Sequence, residues 1–190
     1  MGTRNLISIK SENKIKVAKY CQWDGYPDGQ GINILKILRG LDFKKLKNNI
    51  KNIQELDEES LKDLYKKEGI KTGDFITLEE SKRFKKRYPQ LDRDMGAEII
   101  KYVEENEFPI LFHQASAGMG NTWCQWFYIL DLDEMTLLVF KEAPFKTIEK
   151  ENYDLDEVEI QKEKALKIYN VNLLPTNEDF VKELTNIKTK

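Results

Sequence analysis

The segment Gln22-Trp23-Asp24-Gly25-Tyr26-Pro27-Asp28-Gly29-Gln30-Gly31 sets two aromatic rings and two acids among residues that break regular structure. It lies between a period-two apolar pattern and a helical one, so the chain here must run strand, loop, helix. Upstream, Leu6-Ile7-Ser8-Ile9 and Lys14-Ile15-Lys16-Val17-Ala18-Lys19-Tyr20-Cys21 read as a hairpin turned by Ser11-Glu12-Asn13. Ile15, Val17 and Cys21 alternate with Lys14, Lys16 and Tyr20, which predicts a half-exposed sheet. Downstream, Ile32, Leu35 and Leu38 followed by Gly40 predict a short amphipathic helix with a glycine stop.

From Asp42 to about residue 105 the pattern is helical, with apolar stripes Phe43, Leu46, Ile50, Ile53 and Leu61, Leu64, Tyr65. Thr77 and Glu80 form a capping-box pattern before Phe84, and Ile99, Ile100 and Val103 mark a last helix in this block. Phe108–Gln114, Trp123–Leu132 and Thr136–Lys141 are rich in aromatic and branched residues and read as three antiparallel strands. Residues from Asp154 to Tyr169 fit a helix or the approach to a strand through Ile168–Leu174, and Thr176-Asn177-Glu178-Asp179 caps a final helix. These elements predict a single α+β domain over 1–190: an antiparallel sheet from the N-terminal hairpin plus strands after residue 107, covered by a helical block at about 42–105.

A chain of 190 residues can bury a substantial core without a metal or disulfide staple. Its 31 Lys+Arg against 33 Asp+Glu argue against duplex DNA held through phosphate neutralisation. With two cysteines, no charged-then-apolar N-terminal stretch and no long apolar run, the expected location is the cytoplasm, away from membranes. One histidine and no Cys-x-x-Cys leave no zinc pattern, and no motif implies a cofactor.

Chemistry has few carriers. Gly29 and Gly31 at a helix start would let an anion approach the backbone, but Asp24 and Asp28 in the same loop would repel it. No Gly-Lys-Ser/Thr follows, and the dinucleotide spacing is missing. The segment is therefore either a ligand loop or a structural plug. His113, ending an apolar strand before Ser116 and the glycine loop to Asn121, is the candidate base for a nucleophile at Ser116 or Cys124, with Asp24 as orienting carboxylate. The alternative for His113 is a hydrogen-bonded edge residue. Cys21-Gln22-Trp23 recurs as Cys124-Gln125-Trp126; on neighbouring strands the two triplets would line one groove, and otherwise the likeness is coincidence. Asp131/Asp133/Glu134 reads as a hairpin turn, and Asp57/Glu58/Glu59 as a helix start. Lys82-Arg83-Phe84-Lys85-Lys86-Arg87 is either a solvated helix face or a contact for RNA or an acidic partner.

Met1-Gly2-Thr3-Arg4-Asn5-Leu6 together with the Gln22–Gly31 segment resembles the opening of a group of uncharacterised proteins found in bacteriophages and bacterial genomes. The resemblance covers about the first 40 residues and carries no activity with it. It implies a phage or prophage setting, in which small accessory proteins bind a host protein or sequester a nucleotide signal.

If the loops at 23–31 and 115–122 meet at one sheet edge, Trp23, Tyr26, Trp123 and Trp126 would offer stacking faces. Arg4, Asn5, Gln22, Gln30, Asn121 and Gln125, with Asp24, would then read polar edges. Three functional readings follow: a binding module for a nucleotide-like small molecule or a host protein, a hydrolase or transferase using His113 with Ser116 or Cys124, and an interaction protein with no pocket.

Overall fold

Alternation along the first strand decides the layering. In a computed structural model describing residues 2–70, 76–112, 124–145 and 159–186, β1 (Asn5–Ser11) sends Ile7 and Ile9 to one face and Leu6 to the other, and all three are buried. It is flanked by β2 (Lys14–Cys21) and β5 (Trp126–Asp131), and the sheet continues through β6 (Thr136–Phe140) to β7 (Lys167–Asn170), in the order β2-β1-β5-β6-β7. The near-continuous apolar run Trp126-Phe127-Tyr128-Ile129-Leu130 is what a strand covered on both faces requires, and every residue of β5 is buried.

The helices α1 (Ile32–Arg39), α2 (Phe43–Asn49), α5 (Glu98–Glu105) and α6 (Asn177–Thr185) bury their apolar stripes with Ile7, Ile9, Val17, Tyr128, Leu137 and Val139. Leu6, Ile15, Ala18, Phe127, Ile129, Leu138 and Phe140 form a second cluster with Phe145. Two caps follow the predicted chemistry, Thr77 and Glu80 closing a reciprocal box and Thr176 accepting from the Asp179 amide, and the structure adds a third at Asp42, which accepts from the Lys45 amide. Among the described residues, no helix is long and apolar enough to cross a membrane.

The α+β class is as the sequence predicts, but four local expectations are corrected. First, β1 and β5 run parallel, with Asn5 opposite Trp126 and Lys10 opposite Asp131, so the join between the sheet halves is not antiparallel. Side-chain alternation is the same in either direction and does not report it. Second, Ile15, Val17 and Cys21 are buried and Lys14, Lys16 and Tyr20 less so, as the alternation predicts, but the wetter face is not exposed. A register shift at Ile9/Lys10 places Ile15 in a different cluster from Val17, and even Lys19 is buried.

Third, Ile110–Phe112 (β4) does not join the main sheet. It pairs parallel with β3 (Gln54–Leu56), which interrupts the helical block, and the Gln54 amide donates to Pro109 O at 2.8 Å. Between these strands α3 (Glu58–Lys67) and α4 (Leu78–Arg87) meet through Tyr65 and Phe84, ring centroids 4.6 Å apart, while α3 has no buried residue. Fourth, the strand foreseen through Ile168–Leu174 stops at Asn170, and its Lys167–Asn170 part pairs antiparallel with β6. Residues 154–158 of the alternative helix lie outside the described residues.

Candidate functional site

The Gln22–Gly31 segment leaves the end of β2 and is tied down almost atom by atom. The Gly25 amide donates to Thr3 O at 2.9 Å, and Tyr128, buried on β5, donates its hydroxyl to Gly25 O at 2.9 Å. Asn5 Nδ2 donates to the carbonyls of Cys21 at 3.4 Å and Trp23 at 3.3 Å, and Tyr20 donates its hydroxyl to Gln22 Oε1 at 2.6 Å. Asp24 adopts a left-handed φ of 55° and turns its carbonyl onto the Gln30 amide at 2.7 Å. Gly29 is pressed against that carbonyl, where a Cβ would collide with it.

Pro27–Gly31 forms a π-helical turn that runs directly into α1, with the Gly29 and Gly31 amides both donating to Tyr26 O. An anion cradle, already opposed by Asp24 and Asp28, is thereby closed off at the backbone as well. Proline has no N–H, and the amides of Gly29, Gln30 and Gly31 are spent on the loop's own carbonyls.

Gln30 is buried rather than a ligand reader. Its Oε1 accepts from the Ala97 amide at 2.9 Å and its Nε2 lies 3.9 Å from Cys21 Sγ, so it clamps the loop to the start of α5. Gly96, at φ 61°, leaves no room beside this amide for a Cβ.

Beside the loop opens a cleft of about 960 Å³. Tyr26, Pro27 and Asp28 border it from the loop, and Cys124, Gln125 and Trp126 from the entry of β5. Lys141, Glu142 and Ala143 contribute from the exit of β6, Leu166 from the approach to β7, and Leu184 and Thr185 from the last turn of α6. Tyr26 is 52% exposed, whereas Trp126 is 5% exposed and stacks on Tyr128 with ring centroids 6.4 Å apart.

Of the polar and aromatic residues expected to converge, Tyr26, Gln125 and Trp126 meet in this cleft. Arg4, Asn5, Gln22, Trp23, Asp24 and Gln30 are not among its lining residues. Asn5 and Gln30 are absorbed into the fold, and Trp23, 49% exposed, lies against Gly2. Asn121 and Trp123, like His113 and Ser116, lie outside the described residues. Lys141, Glu142, Leu166, Leu184 and Thr185 were not foreseen, since no spacing in the chain links them to the loop.

The two Cys-Gln-Trp triplets are not on neighbouring strands. Asn5 of β1 stands between them, opposite Cys21 on one side and Trp126 on the other. Because β2 is antiparallel to β1 and β5 is parallel to it, the first triplet leaves the sheet at the end where the second enters. Their likeness is therefore not a structural repeat.

Burial pushes the Cys124 thiol up to about 12, outweighing the nearby Arg4 charge, and burial raises the Cys21 thiol as well. Both shifts run against the thiolate form that a nucleophile requires. The acidic turn Asp131/Asp133/Glu134 serves the fold. Lys10 Nζ lies 3.0 Å from Asp131 and 2.9 Å from Asp133, and Lys162 Nζ is 3.4 Å from Asp131. Among the described residues, no group of three or more His, Cys, Asp or Glu is placed to hold a metal ion.

No protein-family model, no curated protein and no solved structure matches this chain.

Proposed function

We propose that the chain is a binding module whose ligand is a small planar molecule of the nucleobase type, seated in the cleft between the Tyr26 loop and the entry of β5. The observation that carries this reading is the cleft of about 960 Å³, bordered by Tyr26, Gln125 and Trp126. Its size is that of small-molecule sites, which run to roughly 1,000 Å³ and combine apolar walls with a few polar groups. An exposed tyrosine face and a carboxamide suit a flat heterocycle, one by stacking and the other by hydrogen bonding to ring edges.

The loop bonds described above support recognition without a closing motion, because Tyr26 sits between anchors at Gly25 and Gly29. Preorganisation of this kind lowers the entropy cost of binding. Catalysis finds less support, since the Cys124 thiol stays protonated and no second nucleophile lines the cleft with a base beside it among the described residues.

The test is a thermal-shift panel of purine and pyrimidine bases, nucleosides and nucleotides on the full chain. A member that raises Tm in the wild type and loses its effect in Tyr26→Ala supports the reading. A panel without any stabilising member removes it.

A second reading, a protein partner in a phage or prophage setting, draws on Trp23, whose large apolar ring is 49% exposed in the same loop as Tyr26. It predicts that Trp23→Ala leaves small-molecule binding intact.

A further inference from the structure

The charge around the cleft narrows the ligand further, and this inference rests on the planar-ligand reading above. Among the described lining residues there are two carboxylates, Asp28 and Glu142, and one ammonium, Lys141. Asp28 is exposed and lies close enough to the buried Tyr128 hydroxyl to help raise its pKa, after the larger effect of burial.

Backbone polarity has the same sign. α6 reaches the cleft with its last turn, Leu184 and Thr185, so the helix presents its carbonyl end, where the dipole favours positive charge. The helix that starts at Pro27 would ordinarily offer amides to an anion. Here Gly29, Gln30 and Gly31 have theirs turned onto Tyr26 O and Asp24 O, and Asp28 occupies the first turn. Among the described lining residues the side-chain donors include those of Tyr26, Gln125 and Lys141, and neither helix end adds backbone amides to them. A phosphate brought there would meet two carboxylates against the single Lys141 ammonium and none of the Gly29–Gly31 amides, whereas an amino group or a cationic ring would find acceptors on several sides.

We propose that the cleft selects planar ligands that are neutral or positively charged, such as a nucleobase, a nucleoside or an alkylated cationic base, and discriminates against phosphorylated ones. Asp28 is the principal specificity residue, because it borders the cleft and belongs to the same rigid loop as Tyr26.

The experiment is isothermal titration calorimetry of the full chain with 1-methyladenosine, whose ring is cationic at neutral pH, and with adenosine, AMP and ATP. Wild type, Asp28→Asn and Tyr26→Ala are compared. Expected is the affinity order 1-methyladenosine, adenosine, AMP, ATP, with about tenfold or more between first and last. Asp28→Asn weakens the cation about threefold, as removal of one exposed charge pair does, and leaves adenosine nearly unchanged. AMP or ATP binding as tightly as adenosine overturns the charge selection. If they do so and Tyr26→Ala abolishes it, the planar-ligand reading stands and this inference alone falls. If none of the four probes binds, both fall. Binding of 1-methyladenosine that is indifferent to Asp28→Asn removes Asp28 as the selecting residue.

Discussion

Tyr128 and Gly25, 103 positions apart in sequence, are joined by a hydrogen bond of 2.9 Å from the tyrosine hydroxyl to the glycine carbonyl. It fastens the loop that carries Tyr26 to the centre of the sheet, and the donor ring is fully buried. Tyr128→Phe keeps the ring and leaves Gly25 O without that donor. The expected loss is about 1–2 kcal/mol in urea unfolding, with faster amide exchange at Gly25–Gly31. An unchanged exchange pattern across the loop would show that the bond does not anchor it.

Both cysteines are buried with raised thiol pKa values, Cys124 to about 12. At pH 8 native Cys124 should react with iodoacetamide at least about a hundredfold more slowly than the same residue in 6 M guanidinium chloride, because the thiolate is the nucleophile. Mass spectrometry of the alkylated chain measures this. Rapid native labelling of Cys124 would contradict its burial and reopen a nucleophilic role.

Lys19 is 2% exposed, donates to Gln90 O at 3.0 Å, and has its pKa lowered to about 8 by burial, which Asp92 and Asp94 only partly oppose. Below pH 8 the folded and unfolded states are both charged, so the burial penalty is present in full. Between about 8 and 10.5 the folded amine is neutral while the unfolded one still binds its proton, so this group's contribution to stability rises with pH. Compared with Lys19→Met, the wild type should therefore gain up to about 3 kcal/mol from pH 7 to pH 10.5. Urea midpoints of both proteins across that range check it, and a constant difference would count against the buried charge.

Asp131 is fully buried between Lys10 and Lys162, and its Oδ1 also accepts from the amides of Asp133 and Glu134, at 3.0 and 3.1 Å. Asp133 in turn accepts from the amides of Glu12 and Asn13, so the β1–β2 and β5–β6 turns are locked to each other. Although burial pulls the Asp133 carboxyl upward, these amides and Lys10 hold it below the usual carboxylate range. Asp131→Ala should cost about 3 kcal/mol by leaving the buried amides of Asp133 and Glu134 without their acceptor, while Lys10 keeps Asp133 and Lys162 keeps Glu134. Lys66→Ala, which removes an exposed pair with Asp63, should cost no more than about 0.5 kcal/mol. Equal losses in the two variants would refute the difference assigned to burial.

Local signals were legible where the chemistry is local. The Thr77–Glu80 box, the Thr176 cap, the helix start at Asp57 and the alternation of β2 all act over a few residues and appear as predicted. Pairing direction was not legible, because Leu6 and Phe127 would alternate identically whether β1 and β5 ran parallel or antiparallel. β3 was missed for its length, since Gln54-Glu55-Leu56 holds too few residues to show a period. Among the residues that line the cleft, Tyr26, Gln125 and Trp126 were singled out because aromatic and amide side chains beside turn formers stand out. Asn5 and Gln30 carry the same side-chain chemistry, and only their partners, Trp23 O and the Ala97 amide, show that they serve the fold.

The amino-acid order thus sets the α+β class, the caps and a strand–loop–helix junction at Gln22–Gly31, because each depends on dihedral preferences and neighbours within a turn or two, whereas the bonds that make the junction rigid reach as far as Tyr128. The cleft does not exist at that range. Asp28, Trp126, Glu142 and Thr185 become neighbours through the parallel pairing of β1 with β5 and the docking of α6, and that arrangement follows from burying both faces of one sheet. Which polar side chains line the cleft and which are used up inside the protein is settled by the same burial.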